Sequence, residues 1–259
     1  MRHTTRFAPS PTGRLHAGHH LAAQTAWRRA RDSGGRFLLR LEDIDATRCR
    51  PEFAAAIQDD MRRWGFDWDG EVRVQSAHMD EYRAVLVALA VRGLLYPCFC
   101  TRAEIALAAP HEGEYGALYP GTCRHLSATE RAERLARGER HALRLDVGQA
   151  GAAVGALRFH EEGAGWIEAT PQALGDVVLA RKDTPCSYHL CVTHDDARQG
   201  VTLVTRGADL LPATHIHVLL QALMGWPTPL YAHHSLLRDA AGQRLAKRTA
   251  PVAPPGRGH

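Results

Sequence analysis

The opening segment of this chain reads as strand, tight turn, helix and strand, and that order narrows the fold more than any other feature of the sequence. Thr4 to Ala8 is a short extended stretch that runs into the turn-forming Pro9-Ser10-Pro11-Thr12-Gly13. A helical pattern follows from Gly18 to about Asp32, and then the apolar run Arg36 to Leu41, which has the character of a buried strand. Pro51 to Trp64 reads as the next helix, with Pro51 suited to its first turn, and Asp80 to Leu95 as another. Strands that alternate with helices of this length imply right-handed crossovers and a parallel sheet, so the expected fold class is α/β.

The organisation changes after Pro97. Residues 98 to about 126 carry three cysteines among prolines and glycines, which suits a small metal-stapled insertion. His141 to Val147, Leu157 to His160 and Asp176 to Ala180 read as short strands, expected to be antiparallel. The α/β pattern resumes with Tyr188, a strand over Val201 to Thr205 and a helix over Pro212 to Met224. The stretch from Ala250, with Pro251, Pro254, Pro255 and Gly256, is expected to be a disordered tail. The boundaries that follow are 1–97 and 127–248 for two halves of one catalytic domain, 98–126 for the insertion and 249–259 for the tail.

Composition bounds the function without choosing it. The 259 residues are 45% hydrophobic and 23% charged, ordinary for a globular protein, and no run of about 18 apolar residues appears. The N-terminus has no signal-peptide core, so the expected compartment is the cytoplasm, with no membrane partner; a monomer is the expected state. A net charge of +4 permits a nucleic-acid partner. In that compartment the six cysteines point to metal where they are closely spaced, which holds only for Cys98, Cys100 and Cys123. Cys49, Cys186 and Cys191 have no evident metal role.

The chemistry gathers around the first turn. His16 and His19 flank Gly18 where a helix begins, and a helix N-terminus attracts phosphate through its unpaired N–H groups. Gly18 removes a side chain, so a ligand ring can lie against the backbone. Two imidazoles in that position can donate to phosphate oxygens as pyrophosphate is displaced. Near the other end, Gly242-Gln-Arg244-Leu-Ala-Lys247-Arg248 is a basic cluster. Lys247 on a loop there could close over the leaving phosphates.

Together these segments resemble the class I aminoacyl-tRNA synthetases. His16-Ala17-Gly18-His19 matches the HIGH motif and Arg244 to Arg248 matches the KLSKR form of KMSKS, in the same order. RFAPSPTG from Arg6, RLEDID from Arg40, Ser187-Tyr188-His189-Leu190 and Arg206-Gly207-Ala208-Asp209-Leu210-Leu211 resemble the glutamyl branch. The likeness runs over roughly residues 4 to 248. Within the branch the chain most resembles the paralogs that place glutamate on the queuosine base of tRNA(Asp). Ala208 stands where ordinary glutamyl enzymes have an acidic residue. Only 11 residues follow Arg248, so no anticodon-binding domain is expected.

The resemblance implies a Rossmann-like doubly wound sheet with a zinc-binding insertion. It assigns Arg6 and Arg206 to carboxylate binding and Glu42 to the ammonium of glutamate. Ala8, Ser10 and Tyr188 would complete the glutamate pocket. His16, Gly18, His19 and Lys247 would bind ATP with its Mg²⁺, and His16, His19 and Lys247 would be catalytic. Zinc needs a fourth ligand beside the three cysteines. The paralogs offer Tyr119, while Cys123-Arg-His125 fits ordinary glutamyl enzymes. Aryloxide on zinc is uncommon, so the chemistry favours His125 and the likeness favours Tyr119, which is the expected ligand. The partners implied are glutamate, ATP and tRNA(Asp). The competing readings are a truncated glutamyl-tRNA synthetase, another HIGH-type nucleotidyltransferase and an inactive tRNA-binding paralog.

Overall fold

A computed structural model describes residues 1–108, 112–113 and 116–236. Strand β1 (Thr4–Phe7) leads through the proline turn to helix α1 (Ala17–Asp32), which crosses over to β2 (Arg36–Leu41). The two strands pair in parallel, Thr4 opposite Arg36 through Phe7 opposite Leu39. The buried stripe of α1 is Ala23, Ala26 and Ala30, small enough for the helix to lie close on the strands, and Thr5 Oγ1 donates to the Ala26 carbonyl at 2.7 Å. Gly35 has to be glycine, because a Cβ there would stand 2.0 Å from the His3 carbonyl oxygen. Helix α2 (Pro51–Arg63) has its proline in the first turn, and β3 (Arg73–Val74) adds parallel to β2.

Helix α3 (Met79–Val91) stops earlier than the sequence suggests. Gly93 turns the chain at φ +71°, and the apolar Leu94-Leu95 that reads as more helix leads into β4 (Leu95–Cys98). Beyond it lie α4 (Arg102–Ala108), the short pair β5 (Glu112–Gly113) and β6 (Gly116–Ala117), and α5 (Ala128–Ala136). Next come β7 (Ala142–Leu145), α6 (Val147–Val154), β8 (Arg158–Glu161), β9 (Gly165–Glu168) and β10 (Val178–Ala180). The described chain ends with α7 (Tyr188–Arg198), β11 (Leu203–Gly207), α8 (Leu211–Met224) and β12 (Leu230–His234).

Two of the three short strands expected to be antiparallel are so: β7 lies between β4 and β10, antiparallel to both. The third, β8, instead pairs parallel with β12 and carries β9 as an antiparallel edge. β11 also runs parallel to β12. It lies beside β1, where Thr202 N donates to the Thr4 carbonyl and Thr4 N to Thr202 Oγ1, both at 2.9 Å. The sheet therefore grows from β1 in two directions, through β2 to β3 and through β11, β12 and β8 to β9.

Alternation along β2 shows the two covered faces. Phe37, Leu39 and Leu41 meet α1 and α2 at Ala23, Ala26, Ile57 and Met61. Leu38 faces the other way with Phe159, Val204 and Tyr231, against Val218 of α8. Helices on both sides of a mainly parallel sheet make this a doubly wound α/β fold. No helix among the described residues is long and apolar enough to cross a membrane.

Candidate active site

Where the strand order reverses between β1 and β11, the carboxyl ends of the strands diverge and leave a crevice, the usual ligand position in open α/β sheets. Here it is a cavity of about 650 Å³. The end of β1 and the turn after it give Arg6, Ala8 and Ser10, and the start of α1 gives His16, Gly18 and His19. The residue after β2 gives Glu42, α7 gives Tyr188, and the end of β11 gives Arg206.

At the start of α1 the two histidines cap the helix reciprocally. His16 Nδ1 accepts from Gly18 N at 3.1 Å, and His19 Nδ1 accepts from His16 N at 3.2 Å. A ring nitrogen that accepts carries no proton, so each neutral imidazole keeps its hydrogen on Nε2 and is a donor there. Capping and donation to an anion are thus compatible in one side chain. The ring centroids lie 3.9 Å apart with the planes tilted by 42°. A Cβ on residue 18 would come within 3.0 Å of the His16 ring, so Gly18 leaves room for the imidazole as well as for a ligand.

The two arginines are anchored differently. Arg6 is buried and donates through Nε to Asp196 at 2.9 Å and through Nη1 to the Thr205 carbonyl at 3.2 Å. Asp196 also takes Arg40 at 2.6 Å, and its neighbour Asp195 takes Arg73 at 2.8 Å, Gln75 at 2.9 Å and the Tyr82 hydroxyl. Arg40, fully buried on the inner face of β2, sits between the two aspartates. Removing one member of such a buried lattice typically costs roughly 3–5 kcal/mol, so the floor under Arg6 is rigid.

Arg206 is equally buried but forms no ion pair with a described residue. Its Nε donates to His233 at 3.0 Å, Nη1 to Tyr188 and His217 at 3.2 and 3.1 Å, and Nη2 to Thr214 at 2.7 Å. A guanidinium has five N–H groups, so its charge and one donor remain for a ligand. Glu42 supplies the opposite sign in the same cavity. Burial pushes its carboxyl up to about 7, against the pull of Arg40 and Arg6. Two cations and one carboxylate suit a ligand with two carboxylates and one ammonium.

A separate cluster lies behind β4. The ligand atoms of Cys98, Cys100 and Cys123 are within 4.8 Å of one another. The Tyr119 hydroxyl is 3.7 Å from Cys100 Sγ and accepts from Cys123 N at 2.8 Å. Phe99 N donates to Cys123 Sγ at 3.3 Å, and Lys182 Nζ ties down the Phe99 and Cys100 carbonyls at 2.7 and 3.1 Å. These donors suit anionic sulfur and oxygen ligands around a cation. His125 is exposed and outside the group.

Of the residues singled out in the sequence, Arg6, Ala8, Ser10, His16, Gly18, His19, Glu42, Tyr188 and Arg206 line one cavity, and Tyr119 stands with the three cysteines. Lys247 and the rest of Arg244 to Arg248 lie outside the described residues. Sequence reasoning passed over Asp196, His217, His233 and Glu161. Only the Asp195-Asp196 doublet carried a signal, as two adjacent carboxylates in a segment otherwise bound for the core.

The family described as tRNA synthetases class I (E and Q), catalytic domain, matches residues 3–253. A relative from Rhodobacter capsulatus named glutamyl-Q tRNA(Asp) synthetase is 50% identical, over 94% of this chain and 90% of its own length. One from Nitratidesulfovibrio vulgaris with the same name is 44% identical, over 94% and 77%. Among solved structures, a glutamate tRNA ligase from Elizabethkingia meningosepticum in complex with its amino acid superposes with a TM-score of 0.78 at 28% identity. This chain is covered over 96% and spans about half of that protein, 52%.

Proposed function

Since the chain belongs to the class I tRNA synthetases of the glutamate and glutamine type, we propose that it activates glutamate with ATP and transfers it to the queuosine of tRNA(Asp). The observation that carries the amino-acid assignment is the company of Arg6, Arg206 and Glu42 in one cavity. Arg6 and Arg206 would take the two carboxylates of glutamate, Glu42 its α-ammonium, and Ser10, Ala8 and Tyr188 would close the pocket. The acceptor follows the relatives that share 40–50% of the sequence and carry the name glutamyl-Q tRNA(Asp) synthetase.

In the first step an α-carboxylate oxygen of glutamate attacks the α-phosphorus of ATP, which travels with Mg²⁺, and pyrophosphate leaves. His16 and His19 donate through Nε2 as charge builds on the phosphates, and Lys247 would neutralise the departing pyrophosphate. In the second step an acceptor hydroxyl attacks the activated carbonyl and AMP leaves with the bonding pair. No side-chain nucleophile is needed; binding and orientation supply the rate. With these substrates the protein would work in the cytoplasm.

Glutamate alone should support ATP–pyrophosphate exchange without tRNA, because every pocket residue is in this chain. Equal exchange with aspartate or glutamine would overturn the assignment of Arg6 and Arg206. The elevated Glu42 carboxyl adds a pH signature. Below about pH 7 the empty site holds a proton that the incoming ammonium must expel, so affinity falls as the solution becomes more acidic. The KM for glutamate should be level above about pH 8 and rise toward tenfold per pH unit well below 7. In Glu42→Gln this acid limb should vanish and KM be high throughout; an unchanged profile would remove Glu42 from the ammonium site.

Cys98, Cys100, Cys123 and Tyr119 would hold a structural zinc that staples residues 98–126, as thiolate ligands gathered by amide donors do. Elemental analysis should find one zinc per chain. Cys98→Ser and Tyr119→Phe should each loosen it while His125→Ala does not; loss through His125→Ala alone would reverse the ligand choice.

A further inference from the structure

Behind Arg206 stands a set of groups outside the cavity lining. His233 Nε2 and His217 Nδ1 both accept from the guanidinium, at 3.0 and 3.1 Å. These bonds fix both tautomers. His217 carries its hydrogen on Nε2, where it meets His189 Nδ1 at 3.2 Å. His233 carries its hydrogen on Nδ1 and donates to Glu161 Oε2 at 2.8 Å, while its backbone N donates to Glu161 Oε1 at 2.8 Å. Burial lowers the pKa of both His217 and His233, and the nearby Arg206 lowers it further, so the rings stay neutral and remain acceptors at pH 7. Glu161 is itself buried and reaches Arg206 only through His233.

We propose that Glu161, His233 and His217 are positioning residues for the substrate carboxylate, surrounding Arg206 with acceptors alone so that its plane is fixed and its charge is left for the amino acid. Glu161 is the counter-charge, held one side chain away so that it does not compete for the site. The proposal rests on Arg206 as a glutamate ligand. It requires a carboxylate at residue 161. Both His233 groups facing that residue are donors, and only a group with two acceptor oxygens satisfies both. A glutamine there has one acceptor and one donor. If its amide nitrogen meets the imidazole, His233 shifts its hydrogen to Nε2 and confronts the Arg206 Nε–H. If it faces the backbone N–H, two donors meet there instead. Either way the guanidinium loses its seat.

Steady-state pyrophosphate exchange tests this. Glu161→Gln should raise the KM for glutamate by at least about tenfold, with kcat changed much less and the KM for ATP unaltered, the size expected when one buried donor is left unsatisfied. His217→Leu should do the same. His217→Asn, whose Oδ1 replaces Nδ1 as acceptor, should stay within about threefold of the parent. Thermal melting checks folding, and if Glu161→Gln does not fold, the His217 pair decides. A folded Glu161→Gln with parental KM, or equal KM for His217→Asn and His217→Leu, overturns the positioning role. Absence of glutamate-dependent exchange in the parent protein would overturn the reading of Arg206 and this proposal with it.

Discussion

His19→Ala should lower the rate of glutamate-dependent pyrophosphate exchange by about 10²-fold or more, the usual cost of removing one donor aimed at developing charge. Two effects overlap in that substitution. His19 Nδ1 is also half of the reciprocal cap at the start of α1, accepting from His16 N at 3.2 Å, and losing a cap costs about 1 kcal/mol of stability. His19→Asn separates them, because its Oδ1 can accept in place of Nδ1 while nothing replaces the Nε2–H. The expectation is a melting temperature close to the parent in His19→Asn and a rate as low as in His19→Ala. The KM for glutamate should barely move in either, since the proposed ligands of the amino acid, Arg6, Arg206 and Glu42, are untouched by the substitution. A rate within threefold of the parent in both variants would take His19 out of phosphate chemistry and leave it as a cap.

The same helix start shows how far the sequence alone can be read. His16, Gly18 and His19 could be placed at a helix N-terminus because local spacing dictates local geometry, and β2 could be bounded at Arg36 and Leu41 because its apolar run is flanked by turn-formers. What spacing does not carry is partnership across the chain. Arg40 reads as a polar interruption in a strand, yet it is fully buried, because Asp195 and Asp196, more than 150 residues later, come to meet it. β8 was legible as a strand and not as a member of the main sheet, since its parallel pairing with β12 is decided by tertiary packing. β12 was missed altogether: Leu230 to His234 reads as a mixed polar stretch, and its side chains are covered only once β8 and β11 flank it.

Glu161 and His233 belong to that second kind. A histidine in a short strand and a glutamate in another carry no motif, and their roles exist only because one strand lies against the other and behind Arg206. Tyr119 differs. The likeness favoured it, ligand chemistry favoured His125, and the fold sets the phenol beside the thiols and the imidazole in solvent. The two signals disagreed because imidazole is the commoner zinc ligand wherever it stands in the chain, and ligand preference says nothing of which way the side chain turns.

Transfer to tRNA should depend wholly on the modified base. Queuosine-containing tRNA(Asp) should accept glutamate, and tRNA(Asp) with guanosine in its place should accept at least about 10³-fold less, since the nucleophile itself is missing. On this reading the glutamyl-adenylate carbonyl would lie in the cavity lined by Arg6 and Arg206 at the carboxyl ends of β1 and β11, and a hydroxyl would have to enter the same cavity to open it. Queuosine carries a cyclopentenediol whose vicinal hydroxyls resemble those of a terminal ribose, so a site shaped for one chemistry can serve the other. Guanosine offers no hydroxyl on its base. The anticodon loop must then reach the cavity mouth, and because phosphate contacts dominate such encounters, charging should weaken steeply with salt. Removing the 3′ terminal adenosine distinguishes the two acceptors, because a base-directed transfer survives the loss and a ribose-directed transfer does not. Robust charging of the unmodified tRNA, or charging abolished by that trimming, would return the acceptor to the 3′ end. Glutamate activation would stand in either case, since pyrophosphate exchange tests the first step alone.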